Sequence, residues 1–117
     1  MANTIFEDVK KACNTGYISP DNTAFDDQIL THANTVLSTV CQLGAGPQSG
    51  FQISDAKTET WEDFLGDDPR INFVKSYVGL KTRMLFDPPT SSALAEAINR
   101  EIDELGWRIN VEVDPYI

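Results

Sequence analysis

Ala24-Phe25-Asp26-Asp27-Gln28-Ile29-Leu30-Thr31-His32-Ala33-Asn34-Thr35-Val36-Leu37-Ser38-Thr39-Val40-Cys41-Gln42-Leu43 is the stretch that decides the fold class. At 100° per residue, Phe25, Ile29, Leu30, Ala33, Val36, Leu37, Val40, Cys41 and Leu43 fill one half of a helical wheel. Asp27, Gln28, Thr31, His32, Asn34, Thr35, Ser38, Thr39 and Gln42 fill the other half. An apolar half-cylinder of this length must be buried against another element, and other helices supply it. Asn22 or Thr23 is the expected N-cap, with Asp26 and Asp27 in the first turn where the helix dipole favours acids. Gly44-Ala45-Gly46-Pro47 then ends the helix.

Working outward, Thr4-Ile5-Phe6-Glu7 has capping-box spacing and opens a short helix to about Asn14, with Ile5, Phe6, Val9, Ala12 and Cys13 on one face. Phe51-Gln52-Ile53 alternates like a short strand. Thr60 to Gly66 reads as one capped helical turn. Asp68-Pro69 is read as an N-cap followed by proline at the first helical position, opening a helix to about Phe86. Its broad apolar arc (Ile71, Phe73, Val74, Tyr77, Val78, Leu80, Met84 and Leu85) predicts a central helix with several neighbours. Lys81 projects inside that arc, as a snorkelling amine at its margin or as an ion pair with an acidic loop or a neighbouring subunit. After Asp87-Pro88-Pro89, a fourth helix is predicted from Thr90, Ser91 or Ser92 to about Leu105. Gly106 is expected to stop it, and Arg108 to Ile117 changes to a β-like alternation.

The predicted fold is therefore mostly α. It is a small four-helix bundle with a long 44–68 connection, a helical domain over 1–109 and an extended C-terminal arm over 110–117.

Composition narrows the function. The chain has 117 residues, with 9 Lys and Arg against 18 Asp and Glu, for a net charge of −9. No Lys or Arg lies between Lys11 and Lys57. Such a charge balance disfavours a nucleic-acid reader or a protein that binds an anionic membrane. No stretch reads as a signal peptide or a membrane span, and Cys13 and Cys41 on apolar faces read as reduced core thiols. His32 sits on the edge of a polar face, with nothing to place a nucleophile beside it. Two cysteines and one histidine do not make a zinc site, and the acidic pairs lack a calcium-loop pattern. Gly44-Ala45-Gly46 lacks the remainder of any phosphate-loop signature. No catalytic, cofactor or metal site is expected.

Three features remain after the core is assigned. The 44–68 connection carries Asp55, Glu59, Glu62, Asp63, Asp67 and Asp68 against Lys57 alone, with Phe51, Trp61, Phe64 and Leu65 among them. It is either a loop folded on its own aromatics or a contact surface. The third helix carries Arg70, Lys75, Lys81 and Arg83, as a solvated face or as a face that meets acids within or across subunits. The C-terminal segment is a frayed end or an arm for strand addition. Together these features suit a subunit of an assembly.

Three stretches carry a family resemblance. They are Thr60-Trp61-Glu62-Asp63-Phe64-Leu65-Gly66-Asp67-Asp68-Pro69, the segment from Val74 to Pro89 ending Leu85-Phe86-Asp87-Pro88-Pro89, and Glu104-Leu105-Gly106-Trp107-Arg108-Ile109-Asn110-Val111. Together they resemble the small head–tail connector (adaptor) proteins of tailed bacteriophages and prophages. The resemblance implies a helical virion subunit, made in the host cytoplasm, that forms a ring of about twelve copies beneath the portal protein. A tail-proximal protein would dock below, and DNA would pass through without being read. The C-terminal region, Arg108 to Ile117, would reach toward the portal, and uncompensated acids of residues 21–68 would partly line the channel. Candidate subunit or portal contacts are Trp61, Phe64, Leu65, Asp67, Asp68, Arg70, Lys81, Arg83, Trp107, Ile109, Val111, Val113, Tyr116 and Ile117. The competing reading is a stand-alone acidic protein-binding module, such as an inhibitor that mimics DNA.

Overall fold

In the computed structural model, which describes residues 3–13 and 23–111, the chain forms five helices. They are α1 (Ile5–Cys13), α2 (Asp26–Leu43), α3 (Trp61–Leu65), α4 (Ile71–Phe86) and α5 (Ser92–Val111). The four longer helices are the predicted bundle, and α3 is the predicted capped turn. The helix α4 lies at the centre and packs against α1, α2 and α5. Its broad apolar arc serves those three neighbours.

Two capping boxes lie side by side and join α1 to α3. In the first, Glu7 N donates to Thr4 Oγ1 and Thr4 N donates to Glu7 Oε1. In the second, Asp63 N donates to Thr60 Oγ1 and Thr60 N donates to Asp63 Oδ2. Thr4 and Thr60 form an antiparallel bridge, and Ile5 N donates to the Glu59 carbonyl at 2.9 Å. Each box satisfies orphan donors at a helix start. The bridge thus fixes how the connection meets α1.

The start of α2 differs from expectation. Phe25 occupies its N-cap position without a side-chain cap, and the Thr23 carbonyl, not its hydroxyl, accepts from Asp26 N. Asn22 lies outside the described residues. Asp26 pairs with Lys10 at 2.9 Å, which ties α1 to α2. Gly44 ends α2 at φ 106°, a left-handed conformation that favours glycine.

The connection is held to the bundle by side chains. Asn34 accepts from Ile53 N at 2.7 Å and donates to the Ile53 carbonyl at 3.2 Å. That pair replaces the ladder partner a strand would need, and residues 51–53 form no strand. The rings of Phe51 and Phe64 pack with centroids 4.8 Å apart. Gly46 runs so close to Phe64 that an added Cβ would overlap the ring.

The fourth predicted helix is longer than its sequence signals. The chain stays helical through Gly106 to Val111, where a stop and an alternating arm were expected. Gly106 has a packing role instead, since a Cβ there would lie 3.3 Å from Tyr77 Cε2. Ile109 continues the buried stripe of Ile98, Ile102 and Leu105 and is fully buried. Glu104 and Arg108 consequently form an i,i+4 pair at 3.0 Å. Residues 112–117 lie outside the described residues.

Candidate assembly surface

The predicted contact residues divide by burial. Trp61, Phe64, Leu65 and Ile109 lie in the chain's own core, so they anchor the fold from within. Trp61 enters at the first position of α3, and its Nε1 donates to Asp8 Oδ2 at 2.7 Å. The 44–68 connection is thus folded on its own aromatics, the first of the two readings offered for it.

Asp68 and Arg70 form one unit. Arg70 Nη2 lies 2.6 Å from Asp68 Oδ2, and Arg70 Nε and the Arg70 backbone N–H both donate to Asp68 Oδ1 at 2.9 Å. The Arg70 guanidinium holds the Asp68 carboxyl below the usual carboxylate range, and partial burial opposes it. Asp68 does not cap α4 as an N-cap, because the helix begins at Ile71.

Much of the acid excess is engaged locally. Asp26 pairs with Lys10, Asp63 closes a capping box, Asp8 holds Trp61 and Asp68 holds Arg70. Burial pushes the Glu59 carboxyl up, but hydrogen bonds from Ser54 and nearby backbone hold it below its ordinary value. Asp55, Glu62 and Asp67 are exposed and, among the described residues, make no side-chain hydrogen bond or ion pair. The unspent acidity of the connection is concentrated on these three.

Exposed apolar side chains gather at two places. Trp107 is 61% exposed and Val111 is 44% exposed, one turn apart at the C-terminal end of α5. Leu94, in the first turn of α5, and Leu85, in the last turn of α4, are each 45% exposed and flank residues 87–91. Phe25 is 39% exposed and meets Phe86, the last residue of α4, edge-on at 5.8 Å. Sequence reasoning placed Phe25 and Leu85 on core faces. A wheel assigns a face, but it does not tell how far along the axis the neighbouring helices reach. Position in a terminal turn was the available signal.

Lys81 and Arg83 are half-buried on α4. The Lys81 ammonium stands 5.6 Å from the Tyr77 ring centre, beside an open groove between α4 and α5 walled by Tyr77, Ile102 and Trp107. Arg83 lines a second cleft with Asp87 and Leu94, near the start of α5. Val113, Tyr116 and Ile117 lie outside the described residues. Among the described residues no three His, Cys, Asp or Glu side chains gather to hold a metal, and no helix is long and apolar enough to cross a membrane.

Comparison with known proteins gives one family. The model of the family described as phage connector protein matches residues 5–116. No curated protein and no solved structure matches.

Proposed function

This chain belongs to the phage connector protein family, and from that premise we propose that it is a structural subunit of a head–tail adaptor ring in the virion. About twelve copies would close a ring beneath the portal protein, with a tail-proximal protein below and DNA passing through the opening. The observation that carries this reading is the separation of the two exposed apolar patches. Leu94 and Trp107 are thirteen positions apart on one helix, about 20 Å along its axis. Two different patches on one subunit suit a head-to-tail contact, which repeats around a ring. A twofold dimer needs only one self-complementary patch.

The part of the acids is electrostatic. Asp55, Glu62 and Asp67 are free to face a DNA path, and a wall carrying them would repel phosphate and let the duplex slide. Asp68 is excluded from that part because its carboxylate is committed to Arg70.

Native mass spectrometry of the purified chain with and without its portal protein tests the reading. A closed ring on the portal is the expected result. A chain that ignores the portal and instead captures a basic host protein would replace this reading with that of an acidic inhibitor.

A further inference from the structure

From Gln28 to Ser54 the chain has no Asp, Glu, Lys or Arg. About one residue in four is charged in an average domain, and much of this gap lies on the surface. Gln28, Thr31, Thr35, Ser38 and Gln42 are exposed along the side of α2 opposite its buried residues. Thr31 and Thr35 donate their hydroxyls to the Asp27 and Thr31 carbonyls, at 2.9 and 3.1 Å. Those hydroxyls are committed to the helix, and the methyl groups are left to face outward. The Asn34–Ile53 bonds lay a second uncharged segment beside this stripe, with Gln52 exposed. Asp27 bounds the surface at one end, and Glu59, bonded to Ser54 N, bounds it at the other. His32 stands half-buried at its edge.

A charge pressed against such a surface finds no counter-charge, so the surface selects an uncharged partner. The centres of protein interfaces are depleted of charge for the same reason. We propose that the partner is the start of α5 in a second copy of this chain. Residues 88–95 hold no charge, and Leu94 there is 45% exposed. Ala93 and Ala97 are exposed beside it on the helix. Leu94 seats against the methyl groups of Thr31 and Thr35. Arg83 and Asp87 line the α4 side of that corner, so the contact uses its α5 side. The other exposed faces offer no match. Glu7 and Lys11 on α1, Glu62 and Asp63 on α3, and Lys75 on α4 are all exposed. Trp107 has Asp103, Glu104 and Arg108 within about one turn. Two α2 stripes placed face to face bury little apolar area, because neither carries a large apolar side chain, whereas Leu94 gains cover.

This inference rests on the ring reading and names the surfaces that repeat around the ring. A stripe on α2 and a corner on α5 differ, so their contact is head-to-tail and closes when the rotation permits. Thr35→Arg and Leu94→Glu should each weaken ring formation on the portal protein by about tenfold or more in native mass spectrometry. The double variant brings opposite charges together at every contact and should restore most of the assembly. A merely local role of either residue gives no such rescue. Thr35→Val stays uncharged and should assemble like the parent. A photo-crosslinking amino acid at position 35 should join residues 88–97 of another copy, both in the ring and in the concentrated purified chain. Full assembly of Thr35→Arg, or a double variant no better than the single ones, overturns the proposal. So do crosslinks that are absent, or that reach only the portal protein or only α2 of another copy. If rings still form on the portal in those cases, the contact inference fails and the ring reading survives. If the crosslink to residues 88–97 forms between copies and no ring appears on the portal, the contact stands and the ring reading fails instead.

Discussion

The Arg70 guanidinium donates from Nη1 to the Ile109 carbonyl at 2.9 Å, joining the start of α4 to the last turn of α5 across 39 positions of sequence. The same guanidinium grips Asp68 and reaches the Gly44 carbonyl at 3.3 Å. The Gly44 carbonyl lies at the C-terminal end of α2, where intrahelical donors run out. One side chain therefore closes three pieces of chain at once. Arg70→Met should cost about 2–4 kcal/mol, since charged hydrogen bonds are lost and Asp68 is left with its partner removed. Arg70→Lys keeps the charge without the fork and should recover less than half of that loss. Urea unfolding checks both, and a midpoint unchanged in Arg70→Met would show that the clamp carries no stability.

The pair also sets a pH dependence. The folded-state pKa of Asp68 is lowered by Arg70. Its contribution is therefore fully present above the unfolded carboxylate value of about 3.9, and it fades as pH falls through the lower folded value. The stability difference between the parent and Asp68→Asn should be constant from pH 7 to about 5 and shrink below about pH 4. Thermal melts of both proteins across that range supply the comparison. A difference that grows on acidification would contradict the pairing.

Gly79 sets the distance between α4 and α1. A Cβ at Gly79 would lie 3.1 Å from the Cβ of Ala12, inside ordinary contact. Gly79→Ala gains about 1 kcal/mol of helix propensity but forces two packed helices apart, at about 1–3 kcal/mol. A net loss is expected. Ala12→Gly in the same molecule should relieve it, so the two substitutions should couple. Additive effects in a double-mutant cycle would mean that α1 shifts freely.

Burial pushes the Cys13 thiol up to about 11, against the pull of nearby Arg83. Burial also raises Cys41, which keeps some exposure. At pH 8 a thiol with a pKa of about 11 is roughly one part in a thousand thiolate. A thiol reagent should label Cys41 first and reach Cys13 only as fast as the chain opens. Peptide mapping after timed labelling distinguishes the two sites, and equal rates would show that Cys13 is accessible in the folded state.

The helical periodicities were legible because burial on a helix leaves a repeat in the sequence. The wheel of residues 24–43 contains every buried residue of α2, whereas on α4 the predicted arc includes the buried Val74, Tyr77 and Val78, the half-buried Ile71, Phe73, Leu80 and Met84 and the exposed Leu85, and misses the buried Gly79 and Thr82. The Thr4 and Thr60 caps were legible because a cap is local. What escaped is non-local. Asn34 sits on a face read as polar, and nothing in its own neighbourhood says that it grips Ile53. Gly106 carries the local signal of a stop, but the nearness of Tyr77 gives glycine a packing use, and burial of Ile109 carries the helix onward. The exposed apolar side chains were the least legible. Trp107 was singled out by the resemblance alone. Trp61 and Phe64 looked the same in sequence as an exposed pair would, because an aromatic in a connection can point inward or outward with equal local chemistry.

Thr82 offers a test of the core free of any assembly. It is fully buried on α4, and its hydroxyl oxygen has no hydrogen-bond partner among the described residues. A desolvated hydroxyl without compensation costs about 1–3 kcal/mol. Valine has nearly the same shape, is equally branched at Cβ and has a similar helix propensity. Thr82→Val should therefore stabilise the fold by about 1–2 kcal/mol, a rise in Tm of several degrees for a domain of this size. Thr82→Ser keeps the hydroxyl and removes the methyl, so it should lose stability through the cavity it leaves. If Thr82→Val instead lowers the melting temperature, the hydroxyl has a partner in solution, and a high-resolution structure of the parent should show a water or a backbone carbonyl against its Oγ1.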